Sequence, residues 1–371
     1  DLYAVIEDEN DYTALLNGEE YISGTKISGR KAYTLVVTDS IGNTTTKEFG
    51  IDKDEPAFKI NGTKYNHNTD LGYFNTDVTV ELIESNLVSA SVTRNDEVMG
   101  VNFDEVFTLT EDGKYVLTAT DKAGTTTTIT LEIDKIPASM VYSTVDFDGT
   151  GIDYVEENKQ KIFYIKNDTS FVFRMQFSEE LAENPILTIN GTKKTELELV
   201  EKFVTNEGKY IYQGTVNVTA EDKFEDGQLQ LIVSNIKDLA GNETTDPLVT
   251  DQTVTSNSRT VVLDSKIDVV LFKTNSNNAN SSSLAKAGDW IGIYLQVGEE
   301  LKQDPTFMIN GEVVTTSYLG EFNGVYAYQA GITVTEEMSG KITFSISNII
   351  DKAKNNLTLS SEECEYSVTI D

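Results

Sequence analysis

TDSIGNTTTKEFGID, residues 38–52, has near-copies along the chain: TDKAGTTTTITLEID at 120–134, KDLAGNETTDPLVT at 237–250 and IDKAKNNLTLSSEECEYSVTID at 350–371. Each copy sets an Asp (Asp39, Asp121, Asp238, Asp351) four residues before an Asn or Thr (Asn43, Thr125, Asn242, Asn355). A Gly stands three after the Asp in the first three, and Lys354 takes that place in the fourth. Before the phrase run YTLVVT, YVLTAT, LQLIVSN and KITFSISN; Thr-rich alternating runs follow the first, second and fourth copies. Period-two alternation rich in Val, Ile, Thr and Tyr marks half-buried strands. Joined by D-x-x-G, two such runs form a β-hairpin: the Asp side chain caps the turn and Gly supplies the left-handed residue.

Other elements repeat with the phrase. FVFRMQFSEELAENPILTINGTKK (171–194) parallels IGIYLQVGEELKQDPTFMINGEVV (291–314), and shorter versions occupy 78–98 and 4–21. Every unit reads as a strand, an acidic loop, a strand, a tight Asn-Gly or Asn-Asp turn, further strands and a closing hairpin. EELAEN and EELKQD read as short turns rather than helices. The phrase Asp residues stand 82, 117 and 113 residues apart, which fits a row of separate domains rather than a short solenoid. The expected domains are 1–52 (incomplete), 53–135 (compact), and 136–265 and 266–371 (larger). Their connectors, IDKDEPAF, IDKIPAS and VVLDSKIDVV, are short and stiff. About seven short strands per unit indicate an all-β chain of immunoglobulin-like sandwiches arranged as an elongated rod. Tyr115 in EDGKY, and Tyr33 at the same place in the first unit, fit the tyrosine corner of such sandwiches.

The chain has 371 residues and a formal net charge of −32, from 29 Lys+Arg and 61 Asp+Glu. That surface repels nucleic acid and anionic membranes and attracts cations. With 39% hydrophobic residues it has a globular balance, not that of a disordered acidic tail. One cysteine, Cys364, excludes an internal disulfide. No apolar run reaches the roughly 18–20 residues a membrane span needs, so no membrane insertion is expected, and a monomer is. A single His, His67, argues against zinc sites and histidine-based triads.

Strand–D-x-A-G-N–strand–ID followed by a Pro-bearing linker resembles the bacterial Ig-like repeats of Gram-positive cell-surface and secreted proteins. The resemblance covers essentially the whole chain and is clearest at 78–134 and in the DLAGN and DKAKN turns. It implies a non-enzymatic, extracellular, cell-surface fragment serving as stalk or adhesin, with a surface protein or glycan as ligand. The alternative it leaves open is a noncatalytic carbohydrate-binding or spacer region of a secreted polysaccharide-degrading enzyme. No LPxTG-type sorting signal lies within these residues.

In an immunoglobulin sandwich the loop after the second strand and the last hairpin turn share one end with the incoming connector. For the second unit this gathers Asp52, Asp54, Glu55, Glu84, Asn86 and Asp121. For the third it gathers Asp134, Glu179, Glu180 and Asp238; for the fourth, Asp264, Asp268, Glu299, Glu300 and Asp351. Calcium takes six to eight oxygen ligands at flexible geometry, so these junctions are candidate structural calcium sites; purely structural turns explain the same residues. The adjacent acids Glu179/Glu180 and Glu299/Glu300 do not suit glycosidase chemistry, which needs two carboxylates facing one substrate. Trp290, the lone Trp, lies in GDWIGIYL, where alternation could turn it inward or outward; it reads as a core residue, and YLGEFNGVYAY (318–328) as a strand pair with half its rings inward.

Overall fold

The computed structural model describes residues 2–147, 152, 154–157, 160–203, 209–244, 248–249 and 259–371. Among them helix is confined to one 3-10 turn, Ala220–Asp222. Everything else regular is strand. Contacts divide the chain into Asp1–Ile136 with Leu239–Asn242, and Pro137–Asp238 with Glu243–Asp371.

The first unit holds two sandwiches with separate cores. In the N-terminal one a four-stranded sheet orders Glu19–Glu20, Tyr12–Leu16, Ala32–Asp39 and Thr44–Gly50, beside the short pair Leu2–Tyr3 and Lys26–Ile27. Its core is five buried residues: Ala14, Tyr21, Ile27, Tyr33 and Leu35. In the second, one sheet orders Phe107–Leu109, Val78–Ile83, Ala57–Ile60 and Thr63–Tyr65. The facing sheet orders Glu97–Val98, Leu87–Arg94, Gly113–Asp121, Thr126–Ile133 and Thr69–Phe74, the last two parallel. Alternation along Gly113–Asp121 buries Tyr115, Leu117 and Ala119 completely. The same period carries Asp121 to the inner face at the strand's end, where it is 1% exposed. Each fully buried Leu or Ile contributes about 1.5–3 kcal/mol.

The tyrosine corner is present in both sandwiches. Tyr115 Oη donates to the Glu111 carbonyl at 2.7 Å, and Tyr33 Oη donates to the Gly29 carbonyl at 3.0 Å.

The second unit also holds two cores, and its two domains share one plan. Met140–Asp146, Thr169–Phe177, Lys209–Val218 and Glu198–Phe203 form one sheet of the first; Val269–Ser276, Trp290–Val297, Val325–Thr333 and Ser317–Phe322 form its counterpart in the second. The opposing sheets are Lys193–Glu196, Ile186–Ile189, Leu231–Ser234, Leu248–Val249, and Glu312–Val314, Thr306–Ile309, Phe344–Ile350, Asn356–Ser360. A third, small sheet seats each closing strand parallel to an early one: Arg259–Leu263 with Gln160–Ile165, and Thr369–Ile370 with Leu284–Ala285.

Two expectations are corrected here. The run after Asp351 is not one strand: Glu363 Oε2 accepts from the Ser360 amide at 2.7 Å, turning the chain, and Thr369–Ile370 joins another sheet. The third phrase is not flanked by a tight hairpin; its turn is closed by the isolated bridge Lys237↔Glu243. Its residues 245–247 and 250 lie outside the described ones.

The tight turns form as read. Asn17-Gly18, Asn61-Gly62, Asn190-Gly191 and Asn310-Gly311 have φ of 52/86, 49/82, 46/72 and 49/87°, the paired positive values of a type I′ turn. The Asn earns its place twice, because its Oδ1 also accepts a backbone amide from the neighbouring strand: Thr34, Thr79, Gln230 and Thr343 at 2.7–3.1 Å.

Candidate metal centre

The phrase Asp builds its own turn first. Asp351 Oδ1 accepts the Asn355 amide at 2.8 Å, and Asp121 Oδ1 the Thr125 amide at 2.8 Å. Asp39 Oδ1 accepts the amides of Ile41 and Asn43 at 3.0 and 2.8 Å; the Asn43 side-chain amide, then these backbone amides, hold its carboxyl below the ordinary value. The left-handed residue follows: Gly42 at φ 89°, Gly124 at 84°, Gly241 at 87°, and Lys354 at 65°.

The second oxygen depends on the fifth residue of the phrase. Asn43 and Asn355 each donate Nδ2 to Oδ2, at 2.8 and 2.7 Å. Thr125 has no such donor, and Asp121 Oδ2 is buried with no hydrogen-bond partner. Asn355 Nδ2 also donates to the Asp264 carbonyl at 2.7 Å, so one amide ties the turn to the incoming connector. Within the first unit, Asn242 Nδ2 donates to the Asp134 carbonyl at 2.9 Å. Sequence reading noticed these Asn residues as turn formers and missed the connector bond, which joins residues 91 and 108 apart.

At the connector between the second unit's domains, Asp264, Glu299 and Asp351 converge. One oxygen from each lies within 4.8 Å of the others. Asp264 ends the strand Arg259–Leu263 and its amide donates to the Ile165 carbonyl at 2.7 Å. Glu299 stands just past Trp290–Val297 and accepts the Asp268 amide at 3.2 Å. Asp351 is 0% exposed. Burial, then the charge of Asp351, pushes Asp264 up to about 6; burial, then the charge of Asp264, pushes Glu299 up to about 7. Burial raises Asp351 as well, against the Asn355 hydrogen bonds. Glu300 is not part of the cluster: it pairs with Lys352 at 3.2 Å. Lys352 lies 5.4 Å from the Tyr164 ring and Lys166 donates to the Lys354 carbonyl at 3.1 Å, further contacts across this junction.

The donor set is oxygen only, which suits a hard cation. Oxygens bound to one calcium ion at 2.3–2.6 Å lie at most roughly 5 Å apart, and the three here fall within that limit. Three carboxylates would supply part of the six to eight ligands calcium takes.

The other predicted ligands are placed differently. Asn86 Nδ2 reaches Asp52 Oδ2 at 2.8 Å, and Glu84 Oε1 accepts the Asn86 amide at 2.6 Å. Asp54 is drawn away by Arg30, and Glu55 pairs with His67 at 2.6 Å. Among the described residues, Asp52, Asp54, Glu55, Glu84 and Asp121 contribute to no group of three clustered carboxylates. Their carboxylates are engaged separately: Asp54 by Arg30, Glu55 by His67, Asp52 and Glu84 by Asn86, and Asp121 by the Thr125 amide. Asp134 ends the closing strand region of the first unit, its amide on the Phe74 carbonyl at 2.9 Å. Glu179 and Asp238 belong to the second unit, where Asp238 is 0% exposed and bridges Leu181.

No family model matches the chain, and no curated protein matches it. Solved structures similar to it include an I-band fragment of titin (10% identity, TM-score 0.39, covering 86% of this chain and 100% of that one). A tetra-tandem repeat from the extending region of a large adhesion protein matches at 15% identity and TM-score 0.31, covering 97% and 91%. The N-terminal eight Ig domains of Down Syndrome Cell Adhesion Molecule match at 10% identity and TM-score 0.21, covering 99% and 55%. The sandwich assignment stands on the strand pairing described above.

Proposed function

We propose that the chain is a non-enzymatic repeat region of an extracellular bacterial surface protein of Gram-positive type, a stalk or adhesin whose domain junctions are stiffened by calcium. The observation that supports this is the convergence of Asp264, Glu299 and Asp351, drawn from a connector, a loop and the closing turn of one domain. Three carboxylates held so close repel one another when ionised. A cation relieves that repulsion and fixes the connector against the domain it enters. A catalytic reading finds no support in the paired acids, because Glu299 faces Asp264 while Glu300 faces Lys352.

Thermal unfolding of the full chain with about 1 mM calcium, in the range of extracellular modules, against excess chelator tests the proposal. Calcium raises the melting temperature, and Glu299→Gln, which removes one ligand charge from a half-buried loop, reduces the gain. Superimposable curves for the parent chain would sink the calcium reading.

A further inference from the structure

Trp290 does not enter the core. Ile291, Ile293, Leu295 and Val297 are 0% exposed, so alternation turns Trp290, Gly292, Tyr294 and Gln296 to the opposite face of the sheet. There the indole lies flat. A Cβ on Gly292 would stand 2.3 Å from Trp290 Cζ3 and 2.4 Å from Cη2; one on Gly331, its cross-strand partner, would stand 2.3 Å from Cζ2 and 2.5 Å from Cε2. Two neighbouring glycines thus clear a floor under the six-membered part of the ring. Trp290 remains half-buried, with the two glycines beneath its ring. Tyr294 meets it edge-on at 6.3 Å and 76°, and Lys273 Nζ lies 5.5 Å from the Tyr294 ring. By register Gln329 stands opposite Tyr294, and Asn275 opposite Gly292, on the same outward face.

The companion domain shows that the scaffold does not require this arrangement. In the matching strands Ser170 stands opposite Asn217 and Val172 opposite Thr215, and Arg174 binds Asp146 and Gln213 at 2.8 and 2.7 Å. The aromatic ring and both glycines beneath it are therefore replaced together. Yet the sheet is the same.

We infer that the outward face around Trp290 is a carbohydrate-binding platform, on which the apolar face of one pyranose ring stacks against the indole. A half-exposed, outward-facing indole with amide side chains and an ammonium on the same sheet face offers partners to both parts of a sugar: the ring to its axial C–H groups, and Gln329, Asn275 and Lys273 to its hydroxyls. This names a ligand class for the adhesin reading but does not rest on calcium.

Because Trp290 is the only Trp, its fluorescence reports this site directly. The full chain is screened on a glycan array, and bound glycans are titrated by Trp290 emission and acrylamide quenching, with and without chelator. The expected result is saturable protection from quenching that survives chelation, and binding at least about tenfold weaker in Trp290→Ala. Phe322→Ala, on the edge strand, leaves binding unchanged. Absence of any bound glycan, or glycan binding that Trp290→Ala leaves intact, overturns the inference: the indole would then only shield the two glycines. Binding lost on chelation would overturn its independence from the calcium junction.

Discussion

Thr125→Asn should stabilise the second domain, although most substitutions at turns destabilise. Asp121 is 1% exposed and its Oδ2 has no partner, whereas the equivalent oxygens of Asp39 and Asp351 accept an Asn amide at 2.8 and 2.7 Å. An Asn at position 125 carries the missing donor on the same turn geometry. A hydrogen bond to a carboxylate is worth about 1.5–3 kcal/mol, and ordering the longer side chain costs up to about 1 kcal/mol. The net gain is about 1 kcal/mol. Native-state hydrogen exchange of the full chain isolates the effect, because Leu117 and Ile129 sit in the core of that domain and exchange through its opening. Their protection should rise about fivefold, while core amides of the other domains stay unchanged. The mirror variant Asn355→Thr should lower protection around Ile346 by a larger factor, since it orphans a buried carboxylate oxygen and the Asp264 carbonyl together. Unchanged or reduced protection in Thr125→Asn would refute the account of the turn.

Lys354→Gly should raise the stability of the last domain by about 1 kcal/mol, or roughly 4–8 °C in its transition, because Lys354 holds a left-handed φ of 65° that Gly adopts without strain; an unchanged or lower melting temperature would count against this. The pH dependence follows from Asp264 and Glu299, raised to about 6 and 7 from 3.8 and 4.5. The folded chain keeps protons that the unfolded chain has released, so metal-free stability falls as pH rises from about 4 to about 7 and then levels off. Calcium, which needs the ionised carboxylates, should offset that fall, and Glu299→Gln should flatten it; melts at pH 5 and pH 7.5 that show no such difference from Glu299→Gln would exclude the pairing.

What was legible in the sequence was local. The Asn-Gly turns, the tyrosine corners and most of the alternating strands depend on residues within a few positions of one another and formed as read; the run after Asp351, which turns at Ser360, did not. At the fourth junction the meeting of Asp264, Glu299 and Asp351 was legible, because sandwich topology brings a connector, the loop after the second strand and the closing turn to one end, whereas Glu300, pooled with them, pairs with Lys352. Asp54 and Glu55 are engaged for a non-local reason: Arg30 and His67 reach them from loops 24 and 12 residues away, and no spacing rule announces that. The error at Trp290 was avoidable. Alternation was read as allowing Trp290 either face, with the core preferred, but the phase of Ile291, Ile293, Leu295 and Val297 points it outward, and Gly292 and Gly331 make room for it there.

Turn and junction are two uses of one carboxylate, and the period of the strand explains why. Tyr115, Leu117 and Ala119 fix the inner face, so the next inward position, at the domain's end, must carry whatever closes the sandwich. A hydrophobic residue there would bury well but could not accept the amide of the residue four ahead. Asp does so with Oδ1, and its burial leaves Oδ2 in need of a donor, which Asn355 supplies in the last domain and which Thr125 leaves unsupplied in the second. The same Asn355 amide then reaches the connector carbonyl, so a residue selected for turn closure also anchors the chain that enters the domain. Carboxylate clustering at Asp351 follows from this placement: the connector has to pass the buried Asp, and an acid at its end, Asp264, arrives beside it.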